Sequence, residues 1–567
     1  MNTLHLYDWL VLAATLLFIV IYGAWKTHKS KTVTDYLKGG DSKWWTVGIS
    51  VMATQASAIT FLSTPGQAFH DGMGFAQFYL GVPVAMIVIC MVFIPLYHKL
   101  KVYTAYQYLE QRFDGKTRTL TAFLFLVQRG LSAGITIFAP AIILSAVLGW
   151  DLVTLNIIIG VLVIIYTVTG GTKAVSVTQK QQMAVIFLGM FTAFFIIISY
   201  LPEGITFTKA LEIAGASGKM DILDFSFDLN NRYTIWSGLI GGTFLSLSYF
   251  GTDQSQVQRY LSGKNVRQSQ LGMIFNGLLK VPMQFFILLV GIMVFVFYQF
   301  NNAPVHFNPT NVQTVLSSEY SEAFQKLETQ QNSVEQQIQE TQLLLQTATS
   351  DQQTASYIDN ITELQKQDKT LRKEAVALIE KADSNLKTND KDYVFIHFIL
   401  NNLPRGIIGL LLAVILSAAM SSTASELNAL ATTTTIDLYK RDKRQNFGEK
   451  HYINKSKWFT VLWGVLAILV ACVADLFDNL IQLVNIIGSI FYGNVLGIFM
   501  LAFFVKYVKS NAVFVGAIIT QAIIFCLWWF DVIEFLWLNL IGCVLVMIIA
   551  IIIQSFNNKK RPARRQT

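Results

Sequence analysis

Charge is scarce in this chain of 567 residues: 14% are Asp, Glu, Lys or Arg, against 53% hydrophobic, where a soluble protein carries about 25% charged residues. Mean hydropathy is +0.47, too apolar for a water-exposed surface over such a length. These values exclude a soluble enzyme, a disordered chain and a nucleic-acid binder. Cysteine is scarce too. Cys90, Cys472, Cys526 and Cys543 all sit in apolar runs, without the paired spacing of a disulfide framework or a zinc site. There is no P-loop and no exposed nucleophile with a base beside it, so no enzyme is expected. Long apolar runs remain, and they describe an all-α polytopic membrane protein.

A bilayer core about 30 Å thick needs roughly 20 apolar residues per helix. That ruler picks out about 13 transmembrane helices, over 6–25, 44–64, 74–97, 119–148, 152–169, 182–201, 234–251, 271–299, 395–425, 457–476, 479–505, 511–530 and 533–554. No basic residue precedes the first run, so it is not a cleaved signal peptide. Its basic flank follows instead, at Lys26, Lys29 and Lys31, and places the N-terminus outside. Every second loop then faces the cytoplasm. Those loops and the tail hold 29 Lys and Arg, whereas the opposite short connections hold three, Lys209, Lys219 and Arg232. This is the positive-inside pattern; it accounts for the net charge of +8 and puts the C-terminus in the cytoplasm. The tail residues Lys559, Lys560, Arg561, Arg564 and Arg565 read as an anchor to anionic lipid rather than a nucleic-acid contact.

Residues 301–394 do not belong in lipid. They are polar, with 13 Gln in 94 residues. Apolar positions recur at three-and-four spacing through Val334, Ile338, Thr341 and Leu345, and again through Ile361, Leu364, Leu371, Ala375 and Leu378. The two series, separated by Thr349-Ser350-Asp351, predict an extracytoplasmic helical hairpin insertion. It is read mainly as a decoration of a long loop, with docking of a protein partner as the alternative.

Unwound backbone is tolerated at membrane depth only where it lines a cavity. Two spans look interrupted: the second, at Ala53–Thr60 with Ser63, Pro65 and Gly66, and the seventh, at Gly241-Gly242, Ser246, Ser248, Tyr249, Gly251, Thr252 and Asp253. They lie five helices apart and run in opposite directions, the arrangement of a 5+5 inverted repeat. The ninth span adds small and hydroxyl residues over Leu416–Ser425. These serve either close helix packing or, through Ser421, Ser422 and the Ala418 carbonyl, a cluster of oxygens for a cation.

The stretches Ser57–Leu62, Gly170–Val175, Gln256–Leu261 and Ser417–Leu430 resemble the sodium/solute symporter family, which includes glucose, galactose, iodide, multivitamin and sialic acid transporters. The resemblance covers about residues 6 to 555, apart from 301–394. It implies a LeuT-like core: an extra N-terminal helix (1–25), a first repeat (44–201), a second (234–300 and 395–505), C-terminal helices (511–554) and a basic tail (555–567). It further implies a sodium-coupled symporter of a small polar organic solute, a sugar or a carboxylated sugar such as sialic acid. A monocarboxylate, vitamin or anion transporter is the alternative, and a transporter-like sensor or passive channel the alternative of another class. The chain ends soon after its last span, so no attached kinase is expected. The short N-terminus and basic tail fit a bacterial inner membrane.

Residue by residue, the resemblance carries a sodium site onto the carbonyls of Ala53, Ala56 and Ala418 and the hydroxyls of Ser421 and Ser422. Relatives with a second sodium place an acid where this chain has Gln179, and a serine where it has Ala424. One sodium ion per cycle is therefore expected. For the solute, Arg129 and Lys280 stand roughly 14–15 Å into their spans at 1.5 Å per residue, where charge is costly and functional by default. The alternatives are snorkelling or a structural ion pair. Lys280 matches a sugar-contacting lysine, and Arg129 lies near a carboxylate-holding arginine. Tyr249 matches an aromatic that closes the inner side of the site. Ser57, Thr60, Gln77 and Ser246 complete the expected contacts, whereas Asp253 and Gln254 read as capping or structural residues.

Overall fold

The computed structural model describes residues 4–27, 36–37, 39, 41–347, 350–440, 447–473 and 480–559. The expected flank at Lys29 and Lys31, Thr349 of the hairpin turn and the tail from Lys560 lie outside them. Among the described residues, nine helical segments are long and apolar enough to cross a membrane, and two further apolar helices are shorter. Each of the thirteen expected runs falls largely on helix.

Helix α1 (Leu6–Thr27) precedes the core. The second span is broken in two, α2 (Trp44–Gln55) and α3 (Ala58–Asp71). An irregular rod over 72–100 follows, with 3-10 and π segments, and then α4 (Gly115–Leu148). The fifth and sixth spans are two helices that meet at Gly171 within α5 (Leu152–Ser199), and the loop expected at 170–181 is helical beyond that residue. The chain bends at Gly171, whose φ of 58° and close approach to the Tyr36 carbonyl leave no room for a side chain.

The seventh span is α6 (Gly242–Thr252), followed by α7 (Gln254–Leu261). Its break lies at Asp253, where the backbone turns extended; the glycine- and serine-rich stretch before it stays helical. Helix α8 (Val266–Tyr298) leads to the insertion, whose long arms α9 (Ser321–Gln346) and α10 (Asp351–Ala382) pack against each other as the hairpin. Phe324, Leu327, Ala375 and Ile379 bury its small apolar core. Ile338, Ile361 and Leu364 are also buried, as their spacing implies.

The ninth span differs from the expectation of 395–425. A separate helix α11 (Lys391–Asn402) comes first, Pro404 follows the break, and α12 (Ile407–Thr433) then continues as a π turn to Tyr439. The sequence boundary fell short because Glu426 and Asp437 interrupt the apolar run. Both are buried, each paired with an arginine: Glu426 with Arg129 and Asp437 with Arg118. Helices α13 (Glu449–Val473), α14 (Leu480–Phe504), α15 (Ser510–Trp529) and α16 (Phe535–Lys559) complete the chain. The broken pair α2 and α3 packs between α8 and α12, and α6 packs on α14, so the two interruptions meet inside the bundle.

Candidate ion and solute site

The break in the second span creates a carbonyl without its helical donor. The Ser57 amide, four residues beyond Ala53, bonds the Gln55 carbonyl at 3.0 Å. The Ala53 carbonyl accepts the Ser421 hydroxyl of α12 instead, at 3.0 Å. One residue along, the Ser422 hydroxyl reaches the Ala418 carbonyl at 2.9 Å. Ala53, Ala56, Ala418, Ser421 and Ser422 are all buried, with Ala56 at the break itself. Such hard, neutral oxygens from backbone and hydroxyl groups suit an alkali cation better than a transition metal.

Gln179 stands one turn deeper along α2 and α12. Its amide nitrogen donates to Thr54 at 3.1 Å and to Ser425 at 2.9 Å, and its oxygen accepts from Ser50. It joins the second, sixth and ninth spans through neutral hydrogen bonds, at the position where an acid would bring negative charge.

Beside this cluster lies a cavity of about 100 Å³. Its wall includes Ser57, Thr60, Arg129, Tyr249, Lys280 and Ser422 from the expected contacts, together with Thr54, Glu426 and Tyr492. Ser422 belongs both to this wall and to the oxygen cluster, so the two features share a residue. Gln77 and Ser246 are buried but do not line the wall. The Gln77 amide is used by the Tyr233 carbonyl and the Asp224 amide.

The two cationic side chains of the wall differ sharply. Arg129 donates to Asp253 through Nε and Nη2, to Glu426 at 3.0 Å through Nη1, and to the Tyr492 hydroxyl; its guanidinium lies 5.3 Å from the Tyr249 ring centroid. Asp253 also accepts the Ser255 amide at 2.8 Å, capping α7 as expected. Arg129 thus welds the break of the seventh span to α4 and α12. Lys280 is buried in the same wall, yet has no hydrogen-bond or ion-pair partner among the described residues. Glu426 and Tyr492 were not picked out from sequence. Glu426 fell past the assigned end of its span, and Tyr492 sits in a span whose scattered polar residues, Gln482, Asn485, Ser489 and Asn494, single out no one position.

The profile of the sodium:solute symporter family matches residues 36–327 and 371–520, leaving 328–370 of the hairpin unmatched. The chain is 29% identical to sodium-coupled monocarboxylate transporter 1 of Mus musculus over 521 residues, 91% of this chain and 72% of that protein. It is 24% identical to the sodium/sialic acid symporter SiaT of Proteus mirabilis, over 95% of this chain and 93% of that one. The solved structure of a substrate-bound, outward-open sodium-coupled sialic acid symporter superposes with a TM-score of 0.75 at 23% identity, over 99% of both chains, which establishes the fold. With sequence match, fold and broken-helix geometry in agreement, this multi-pass membrane protein belongs to the sodium:solute symporter family and is a transporter rather than an enzyme.

Proposed function

We propose that this chain is a sodium-coupled symporter of a small organic carboxylate, moving one sodium ion per cycle. The observation that carries the solute class is Lys280, a buried amine in the cavity wall with no hydrogen-bond or ion-pair partner among the described residues. A buried charge is retained where a counter-charge arrives, and a carboxylate supplies it. Arg129, the other candidate, is already engaged by two acids and serves to hold the seventh-span break. The cavity volume of about 100 Å³ and the similarity to a monocarboxylate transporter favour a compact acid over a carboxylated sugar.

Sodium held by Ala53, Ala56, Ala418, Ser421 and Ser422 would tie the unwound second span to α12. Because Ser422 also faces the solute cavity, each ligand alters the site of the other, which is the differential interaction that coupling requires. With the N-terminus outside and the C-terminus in the cytoplasm of a plasma membrane, as the charge distribution supports, the hairpin stands on the outer face. A potential of 100 mV then contributes about 2.3 kcal/mol per sodium charge. Neutral Gln179 supports a single ion.

Uptake of labelled lactate, propionate, galactose and sialic acid into proteoliposomes under an inward sodium gradient tests the reading. Sodium-dependent accumulation of a small acid, lost in Lys280→Ala, is expected. Accumulation of a sugar alone would overturn the solute class, and uptake indifferent to the gradient would overturn symport.

A further inference from the structure

A cavity larger than the central one lies elsewhere among the described residues. It lies under the hairpin, measures about 320 Å³, and is walled by α9 and α10, the end of α3, the end of α8 and the segment around Lys219. Much of the wall from α9 and α10 comes from 328–370, the stretch that the family profile does not match.

Charge in this cavity is unevenly paired. Arg372 donates to Asp368 at 2.8 Å and lies 3.4 Å from Glu335, and Lys391 pairs with nearby Asp71 at 2.5 Å. The two acids of the wall, Glu335 and Asp368, therefore share one cation, Arg372. Lys219 and Lys369 have no ion-pair partner among the described residues. Lys219 is nonetheless firmly placed. Its ammonium donates to the His70 carbonyl at 2.6 Å and stands 5.0 Å from the Phe295 ring centroid. Its backbone carbonyl accepts the Met73 amide at 2.8 Å. The chain passes so close to Gly72 that a Cβ there would meet this carbonyl at 2.7 Å.

We propose that the hairpin completes a second anion site, in which Lys219 and Lys369 hold the carboxylate of a small organic acid. Two ammonium groups, each with unused donors, match the acceptor capacity of one carboxylate. Phe69, Phe295 and Tyr298 offer an apolar face to a short hydrocarbon tail. Electrostatics agree. Burial draws Lys219 down to about 8, assisted by Lys369 and Lys391 and opposed by Asp71 and Asp368, a strain that an added anion relieves. Burial also pushes Glu335 up to about 8, so its carboxyl does not cancel the cations near neutral pH.

The site is one short helix from the central cavity. Phe69 lies nine residues along α3 from Thr60, about 14 Å at 1.5 Å per residue. An acid captured there is concentrated at the entrance to the transport path, the usual effect of a cationic mouth on the rate of anion capture. The choice of carboxylate rests on the proposed solute class; the existence of an anion site rests on the charge pairing alone.

Equilibrium binding of radiolabelled benzoate to the full-length chain in nanodiscs tests the proposal. The wild type should bind at two sites. Lys219→Gln combined with Lys369→Gln should weaken one of them about tenfold or more, the loss expected for charged hydrogen bonds, while Lys280→Ala leaves that one intact. Benzoate should also protect Lys219 and Lys369 of the wild type from acetylation, a readout that does not depend on a variant folding. Binding removed by Lys280→Ala but indifferent to the lysine pair, with no protection, would overturn the second site. Protection and binding that survive Lys280→Ala, beside absent carboxylate transport, would sink the solute reading and leave this one standing.

Discussion

The Ser421 hydroxyl and the Ala53 carbonyl meet at 3.0 Å across the interface between α12 and the broken second span. This contact uses an acceptor freed by unwinding at Ala56 and Ser57, and it lies at the proposed sodium site. Ser421→Ala removes one oxygen without removing apolar volume. The sodium concentration for half-maximal uptake should rise about tenfold, as for a lost interaction with a charged partner, with the solute constant changed less. A sodium titration of proteoliposome uptake reads it, and an unchanged titration would exclude Ser421 from the site.

Lys280 provides a test in which stability and function move in opposite directions. An uncompensated buried ammonium is unfavourable, so Lys280→Met should keep or raise thermal stability. Carboxylate uptake should fall to background. A destabilised variant that still transports would contradict the assigned role.

Arg129 is expected to behave in the opposite way. Asp253 and Glu426 are both buried around it, and removing one member of such a network costs about 3–5 kcal/mol by leaving charge unpaired. Arg129→Ala should therefore lower thermal stability strongly. Combining it with Asp253→Asn and Glu426→Gln should recover most of the loss. Equal stability of the single and triple variants would show that the triad is not coupled.

Gln179 sets the ion count in the proposed cycle. Gln179→Glu removes the amide that donates to Thr54 and Ser425 and introduces a negative charge among their hydroxyls. The measured coupling ratio should move from one sodium ion per solute toward two. A wild-type ratio of two would overturn the single-ion reading outright.

The seat of the hairpin should respond to pH. Glu335 accepts the Ala303 amide at 3.0 Å, and burial pushes its carboxyl from 4.5 to about 8, with Arg372 pulling the other way. The folded state holds this proton more tightly than the free chain, so the stabilisation is complete below pH 4.5 and fades as pH rises through about 8. Burial draws His306 below its ordinary 6.5, an effect confined to the acid side. Backbone exchange protection across α9 and α10 should fall between pH 6.5 and about 8.5, and Glu335→Gln should flatten the profile. A flat wild-type profile would remove Glu335 as the cause.

Much of the architecture was legible as one-dimensional pattern. Apolar run length located most helices, and three-and-four spacing identified the hairpin arms, because burial in lipid or in a two-helix interface depends on periodicity along a single segment. Polar and small residues at Ala53–Thr60 and Ser417–Ser425 marked the oxygen cluster, since hydroxyls and an unwound turn are unusual inside a membrane. Matched motifs then gave Ala53, Ala418, Ser421 and Ser422 their expected roles.

What tertiary structure alone decided was pairing. Arg129 and Lys280 are indistinguishable in sequence, each a cation in the middle of an apolar span. Two acids, from α12 and the seventh-span break, surround the first, and among the described residues none pairs with the second. Glu426 looked like a loop residue because hydropathy counts its charge without knowing that Arg129 neutralises it. Gln77 and Ser246 carried suitable chemistry but sit behind the cavity wall. Lys219 and Lys369, 150 residues apart in the chain, share a cavity only because the hairpin folds back over the bundle. A residue's chemistry and the period of its segment are local properties. Which charge finds a counter-charge depends on groups distant in sequence, and it is fixed only when the helices pack.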